Sequence, residues 1–110
     1  MKTEGKYILT RHIPIPCDDL MVWANWFETA KRHVASDHIG KVYISTVFLG
    51  IDHSFGIGEP LLFETMIFGG KHHDYQTRCS TWEEAEKMHK KALKLVKSDT
   101  PTTPAEKEKR

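Results

Sequence analysis

The sequence lacks most of what would announce a function. It has two cysteines, Cys17 and Cys79, far apart and with no C-x-x-C pair, so neither a disulfide framework nor a cysteine zinc site is encoded. Charge of one sign is lacking too. Sixteen Lys and Arg stand against 15 Asp and Glu, a formal net charge of +1, so no whole-molecule field recruits nucleic acid or an anionic membrane. The longest apolar runs fall far below the roughly 20 residues of a membrane span, and no charged-then-apolar leader opens the chain. A soluble protein of the reducing cytoplasm, not bound to membrane and with two buried or idle thiols, is expected. There is no phosphate-binding G-x-x-x-x-G-K-[ST], no G-x-G-x-x-G after a strand, no H-E-x-x-H and no G-x-S-x-G. No named enzyme class follows, no catalytic residue is assigned, and no cofactor or metal is specified.

What is present is enough for one folded unit: 110 residues close a core without staples. The alternating stretch Lys6 to Ile13 predicts an edge strand, ended by two prolines that cannot donate to a sheet. "CDDLMVWANWFETAKRHVAS" predicts a helix capped by Asp18, with Leu20, Trp23, Ala24, Phe27, Ala30 and Val34 on one buried stripe. Met21, Val22 and Trp26 lie off that stripe, so either a further layer of this chain or another chain covers them. Val22 and Trp26 are therefore the candidate partner interface, in a homodimer or a complex.

"KVYISTVFLGI" and "PLLFETMIFGG" are rich in β-branched and aromatic residues and read as a long hairpin around a glycine-rich loop; "DYQTRCS" adds a third strand. "STWEEAEKMHKKALKLV" opens with Ser80 or Thr81 as cap and Glu83 or Glu84 three residues on, the firmest helix start in the chain. From Ser98, "SDTPTTPAEKEKR" has no large apolar side chain, and residues 98–110 are expected to be a disordered tail to a domain over 1–97. The expected fold is α+β: one domain in the order β-α-β-β-β-α, an antiparallel sheet with both helices on one face.

Two carboxylates sit inside greasy segments, Asp52 beside His53 and Glu64 between Phe63 and Thr65, and a buried charge needs a partner or a use. With the hairpin symmetrical about the 52–59 loop, Glu64 faces the neighbourhood of Ser45 to Val47 on one side and Arg78 on the other, and a cross-strand Glu64 to Arg78 ion pair is expected. Asp52 is an ordinary loop-starter through bonds to its own backbone, or, with His53, a base or metal-binding pair. His89 falls on the apolar face of the last helix, where a hydrogen-bonded core histidine is the ordinary reading. Packed above Glu64 and Asp52, it would complete a single constellation. His72 and His73 belong to a hairpin loop and are expected to face water.

The segments "STVFLGIDHSFG", "LLFETMIFGG" and "STWEEAEKMH", preceded by "DLMVWANWFETAKRHVASDHIG", resemble a family of small uncharacterised bacteriophage and prophage proteins, over about Asp19 to His89. The resemblance lends no catalytic residues. It implies a phage-derived accessory protein working in the bacterial host cytoplasm, of the class that blocks a host enzyme or sequesters a signalling nucleotide in counter-defence. The expected function is non-enzymatic binding of a host protein or a small anionic ligand by Asp52, His53, Phe55, Glu64, Arg78 and His89. The alternative is a small metal-dependent hydrolase with Asp52, His53, Glu64 and His89 around the ion. A double-stranded RNA-binding module comes third. Glu83, Glu84 and Glu86 stand where phosphate should bind, so nucleic acid is disfavoured as a partner.

Overall fold

Alternation over Val42–Phe48 and Phe63–Phe68 puts Ile44, Thr46 and Phe48 of the first, and Phe63, Thr65 and Ile67 of the second, on one face, where all six are fully buried. The computed structural model describes residues 5–99. The elements are β1 (Tyr7–Thr10), β2 (Ile13–Pro16), α1 (Leu20–Thr29), β3 (His33–Ile39), β4 (Val42–Phe48), β5 (Phe63–Phe68), β6 (Gln76–Cys79) and α2 (Trp82–Asp99). Strands β3-β4-β5-β6 form an antiparallel sheet in sequence order, and β1-β2 form a separate hairpin.

The fold is α+β, as the sequence reading has it, with two strands beyond that reading. The first is β2, written Ile-Pro-Ile-Pro. Tyr7 N–H bonds to the Gly50 carbonyl and Cys17 N–H to the Lys6 carbonyl, so Tyr7↔Pro16 and Leu9↔Pro14 are the positions that exchange no ladder bonds, and the missing proline N–H groups cost nothing. The second is β3, which takes the place of the second half of the expected first helix. That helix ends at Thr29, with Ala30 in extended conformation, and its cap is Asp19 rather than Asp18. The Asp19 carboxylate accepts from the N–H groups of Met21 and Val22.

The cap of α2 is as expected: Thr81 Oγ1 accepts from Glu84 N–H while the Glu84 carboxylate accepts from the N–H groups of Ser80 and Thr81. The helix lies across all four strands of the sheet. Ala92 and Val96 meet Ile44 and Ile67, and Ala85 meets the cluster of Phe48, Leu62 and Phe63. Each large side chain so buried contributes about 2–3 kcal/mol. Ser98 and Asp99, expected in the tail, belong to this helix; the rest of the expected tail lies outside the described residues.

Helix α1 reaches the same face of the sheet through Trp26, whose ring stands edge-on to Phe48 at 5.7 Å. Trp26, expected at a partner interface, is half-buried against this chain's own core. Its neighbour Trp23 donates from the indole N–H to the carbonyls of both Tyr7 and Gly50, fastening helix, first strand and the end of β4. Gly50 has φ 79°, and a Cβ there would lie 2.9 Å from the Phe27 ring, so only glycine fits the joint. Val22 stays 51% exposed, together with Leu20 and Met21, so Leu20 leaves the stripe that the sequence assigns to it. No helix among the described residues is long and apolar enough to cross a membrane.

Candidate functional site

The loop between β4 and β5 is built on Asp52. Its Oδ1 accepts from the N–H groups of Ser54 and Leu61, at 2.8 and 2.9 Å, and its Oδ2 accepts from the Ser54 hydroxyl at 2.9 Å. The two arms of the loop are thereby tied together at their base. Burial alone pushes the Asp52 carboxyl up. The N–H groups of Ser54 and Leu61, the Ser54 hydroxyl and neighbouring His53 outweigh it and hold the carboxyl below its ordinary 3.8. Asp52 is thus a turn-former whose acceptors are already engaged. His53 turns its Nδ1 to the Ile51 carbonyl at 2.9 Å, so Nδ1–H donates and the ring is held by the backbone.

Above this base the chain turns back: the Ser54 hydroxyl accepts from Gly56 N–H and the Ser54 carbonyl from Ile57 N–H. The tip then does what loops seldom do. Phe55 is 89% and Ile57 80% exposed, and Phe55 takes φ 57°, the left-handed region that a bulky side chain avoids.

Glu64 lies elsewhere. It pairs with Val47 and Arg78 in the register the hairpin symmetry predicts, and its Oε2 accepts from Arg78 Nε and Nη2, each at 3.0 Å, and from the Gln76 amide at 2.7 Å. Alternation puts Thr65 toward α2 and Glu64 on the opposite face of the sheet. His89 is on the α2 side, 3% exposed, with Nε2 2.8 Å from Asp37 Oδ2 and Nδ1 2.7 Å from Thr46 Oγ1; Thr46 in turn bonds to Thr65. The expected constellation of Asp52, His53, Glu64, Arg78 and His89 is therefore not assembled. The sheet separates Glu64 and Arg78 from His89, Asp52 spends its oxygens on its own loop, and Phe55 stands exposed at the loop tip. Among the described residues no three His, Cys, Asp or Glu side chains gather to hold a metal ion.

The series Asp37, His89, Thr46, Thr65 was legible only in its His89 member. An ionised Asp37 only accepts, so Nε2 carries a proton; Nδ1 accepts from Thr46 or, when doubly protonated, donates to it, and the hydroxyls turn to match. The order acid, imidazole, hydroxyl is that of a nucleophile and its base, but Thr46 and Thr65 are fully buried and no substrate reaches them. The series is architecture, tying β3, β4, β5 and α2 together.

The remaining candidates are local. His73 Nδ1 accepts from Gly69 N–H at 2.7 Å and belongs to the β5–β6 turn. The Cys79 thiol is pushed up to about 11, by burial first and by the Glu84 charge second, and donates to the Thr81 carbonyl, so it stays protonated. Cys17 is buried and free. Compared with protein-family models, with curated proteins and with solved structures, the chain finds no match.

Proposed function

We propose that this chain is a non-enzymatic binding protein that engages a protein partner through the tip of the Asp52 loop, with Phe55 and Ile57 entering an apolar pocket of that partner. The observation that carries the reading is the pair of exposed apolar side chains on a loop whose base is tied by three hydrogen bonds to one carboxylate. Leaving such a side chain in water forgoes about 1.5–3 kcal/mol of burial, and a left-handed Phe adds about 1–3 kcal/mol of strain. A partner that covers the tip recovers the first of these. A loop whose base is already tied loses less entropy on binding than an untied one.

A small anionic ligand fits this site less well. The charged side chains of the loop are Asp52 and Glu59, both acidic, and they oppose an anion as they oppose an anionic lipid surface. The resemblance to phage and prophage proteins supplies the setting: a phage-derived accessory protein acting on a bacterial host protein, with counter-defence as its context. No observation favours the hydrolase or the RNA-binding reading. The four groups of the first do not converge, and the exposed Glu83, Glu84 and Glu86 on α2 repel phosphate in the second.

The test uses the full chain and its Phe55→Ser/Ile57→Ser variant as baits in bacterial host lysate, with mass spectrometry of what each retains. A protein held by the first and lost by the second, at equal thermal stability, is the expected result. Equal retention by both baits, or recovery of the bait's own copies alone, overturns the reading.

A further inference from the structure

The four-stranded sheet has two edges, and they are treated differently. Edge strand β3 is guarded: its register breaks at a bulge between His33 and Ala35, and the Asp37 carboxylate turns inward to His89. Edge strand β6 has no bulge against β5, no proline and no lysine, and among the described residues nothing pairs with its far side. The carbonyls of Tyr75 and Cys79 accept from the N–H groups of Ile67 in β5 and Leu62 just before it, so the backbone groups of Gln76 and Arg78 face the open side.

Beside that edge runs a groove of about 370 Å³ between β6 and α2. Tyr75, Thr77, Cys79 and Met88 line it, with the Cys79 thiol protonated and therefore apolar. Lys87 and Lys91, one helical turn apart and both exposed, stand on the helix wall; Glu84 stands at the end near Cys79. We infer that this edge and groove form a second binding surface, which takes an extended acidic peptide as a fifth strand along β6. Main-chain bonds to Gln76 and Arg78 hold the peptide, alternate side chains drop toward Thr77 and Met88, and an Asp or Glu meets Lys87 and Lys91. In the antiparallel direction, which keeps the alternation of the sheet, the acidic residue falls in the C-terminal half of the bound stretch, away from Glu84.

A random-peptide display library panned against the full-length protein tests this. Enriched sequences should be free of proline and carry Asp or Glu toward their C-terminal end. In fluorescence polarisation the Lys87→Glu/Lys91→Glu variant should weaken the best of them about tenfold or more. The Lys87→Arg/Lys91→Arg and Phe55→Ser/Ile57→Ser variants should bind them as the unmodified chain does. Circular dichroism confirms that each variant folds. No enrichment above bare support overturns the inference, as do peptides indifferent to the charge reversal or lost with the loop variant. Sedimentation as a dimer that the peptide cannot dissociate would assign the edge to a second copy instead.

Discussion

Two regions of this chain break the usual sorting of polar inside and apolar outside, in opposite senses. Beneath α2, the chain Asp37–His89–Thr46–Thr65 runs polar groups through the interior, each with a partner. Beyond β4, a polar base at Asp52 holds Phe55 and Ile57 out in water. The difference lies in what completes each region. The interior chain is satisfied by this protein's own atoms, and satisfied polar networks specify register more than they add stability. The loop is satisfied at its base and unsatisfied at its tip. A region complete in itself is read as architecture; a tip left incomplete above a tied base is where the proposed partner would sit.

The largest effect should come from breaking the interior region. His89→Ala leaves a cavity and strips Thr46 of its ring partner, and should cost about 3 kcal/mol in urea denaturation. Replacing the set by apolar groups, Thr46→Val/Thr65→Val/His89→Leu, should recover most of that loss. A His89→Ala cost no larger than that of a surface change, about 0.5 kcal/mol, would remove the contrast.

Next in size is Asp52→Ala, which unpairs two backbone N–H groups and should cost about 2 kcal/mol. Its pH dependence has a definite sign. The folded carboxyl lies below the 3.8 of the unfolded chain, so the contribution is complete above 3.8 and is lost as pH falls through the folded value. The gap between the unmodified chain and the variant should therefore stay constant near neutrality and close only in acid, as denaturation at a series of pH values would record. The smallest effect sharpens the outer half: Phe55→Gly relieves the left-handed strain and should raise stability by about 0.5 kcal/mol in a thermal melt. A fall would mean that the ring packs on this chain.

Much of this was legible in the sequence. The Glu64 to Arg78 pair follows from two matched runs around a loop and a third run beyond it, because antiparallel register is fixed once the turn is placed. The α2 start and the burial of His89 follow from capping chemistry and helical spacing. The two missed strands were hidden by their own residues. In β2 the prolines occupy non-bonded positions, a fact set by the pairing of β2 with β1 and not by the residues of β2 alone. In β3 the inward positions are mixed: Val34 and Ile39 pack on the core, but the run is interrupted by a bulge and by Asp37, whose partner His89 is 52 residues away, so a clean apolar alternation is absent and Val34 instead continues the helical rhythm. The site was over-read for a related reason: which face of the sheet Glu64 takes against His89 is decided by register across two strands and a helix, not by spacing.

The attachment of the first strand carries a consequence for how the molecule assembles. Tyr7 N–H finds its acceptor at Gly50, Asp52 N–H finds its own at Gly5, and the Trp23 indole spans the same place. During synthesis the opening hairpin leaves the ribosome long before the residues that seat it exist. It must wait, unanchored, until β4 has formed, and a refolding experiment should therefore see the tryptophan signal of α1 mature after the central sheet.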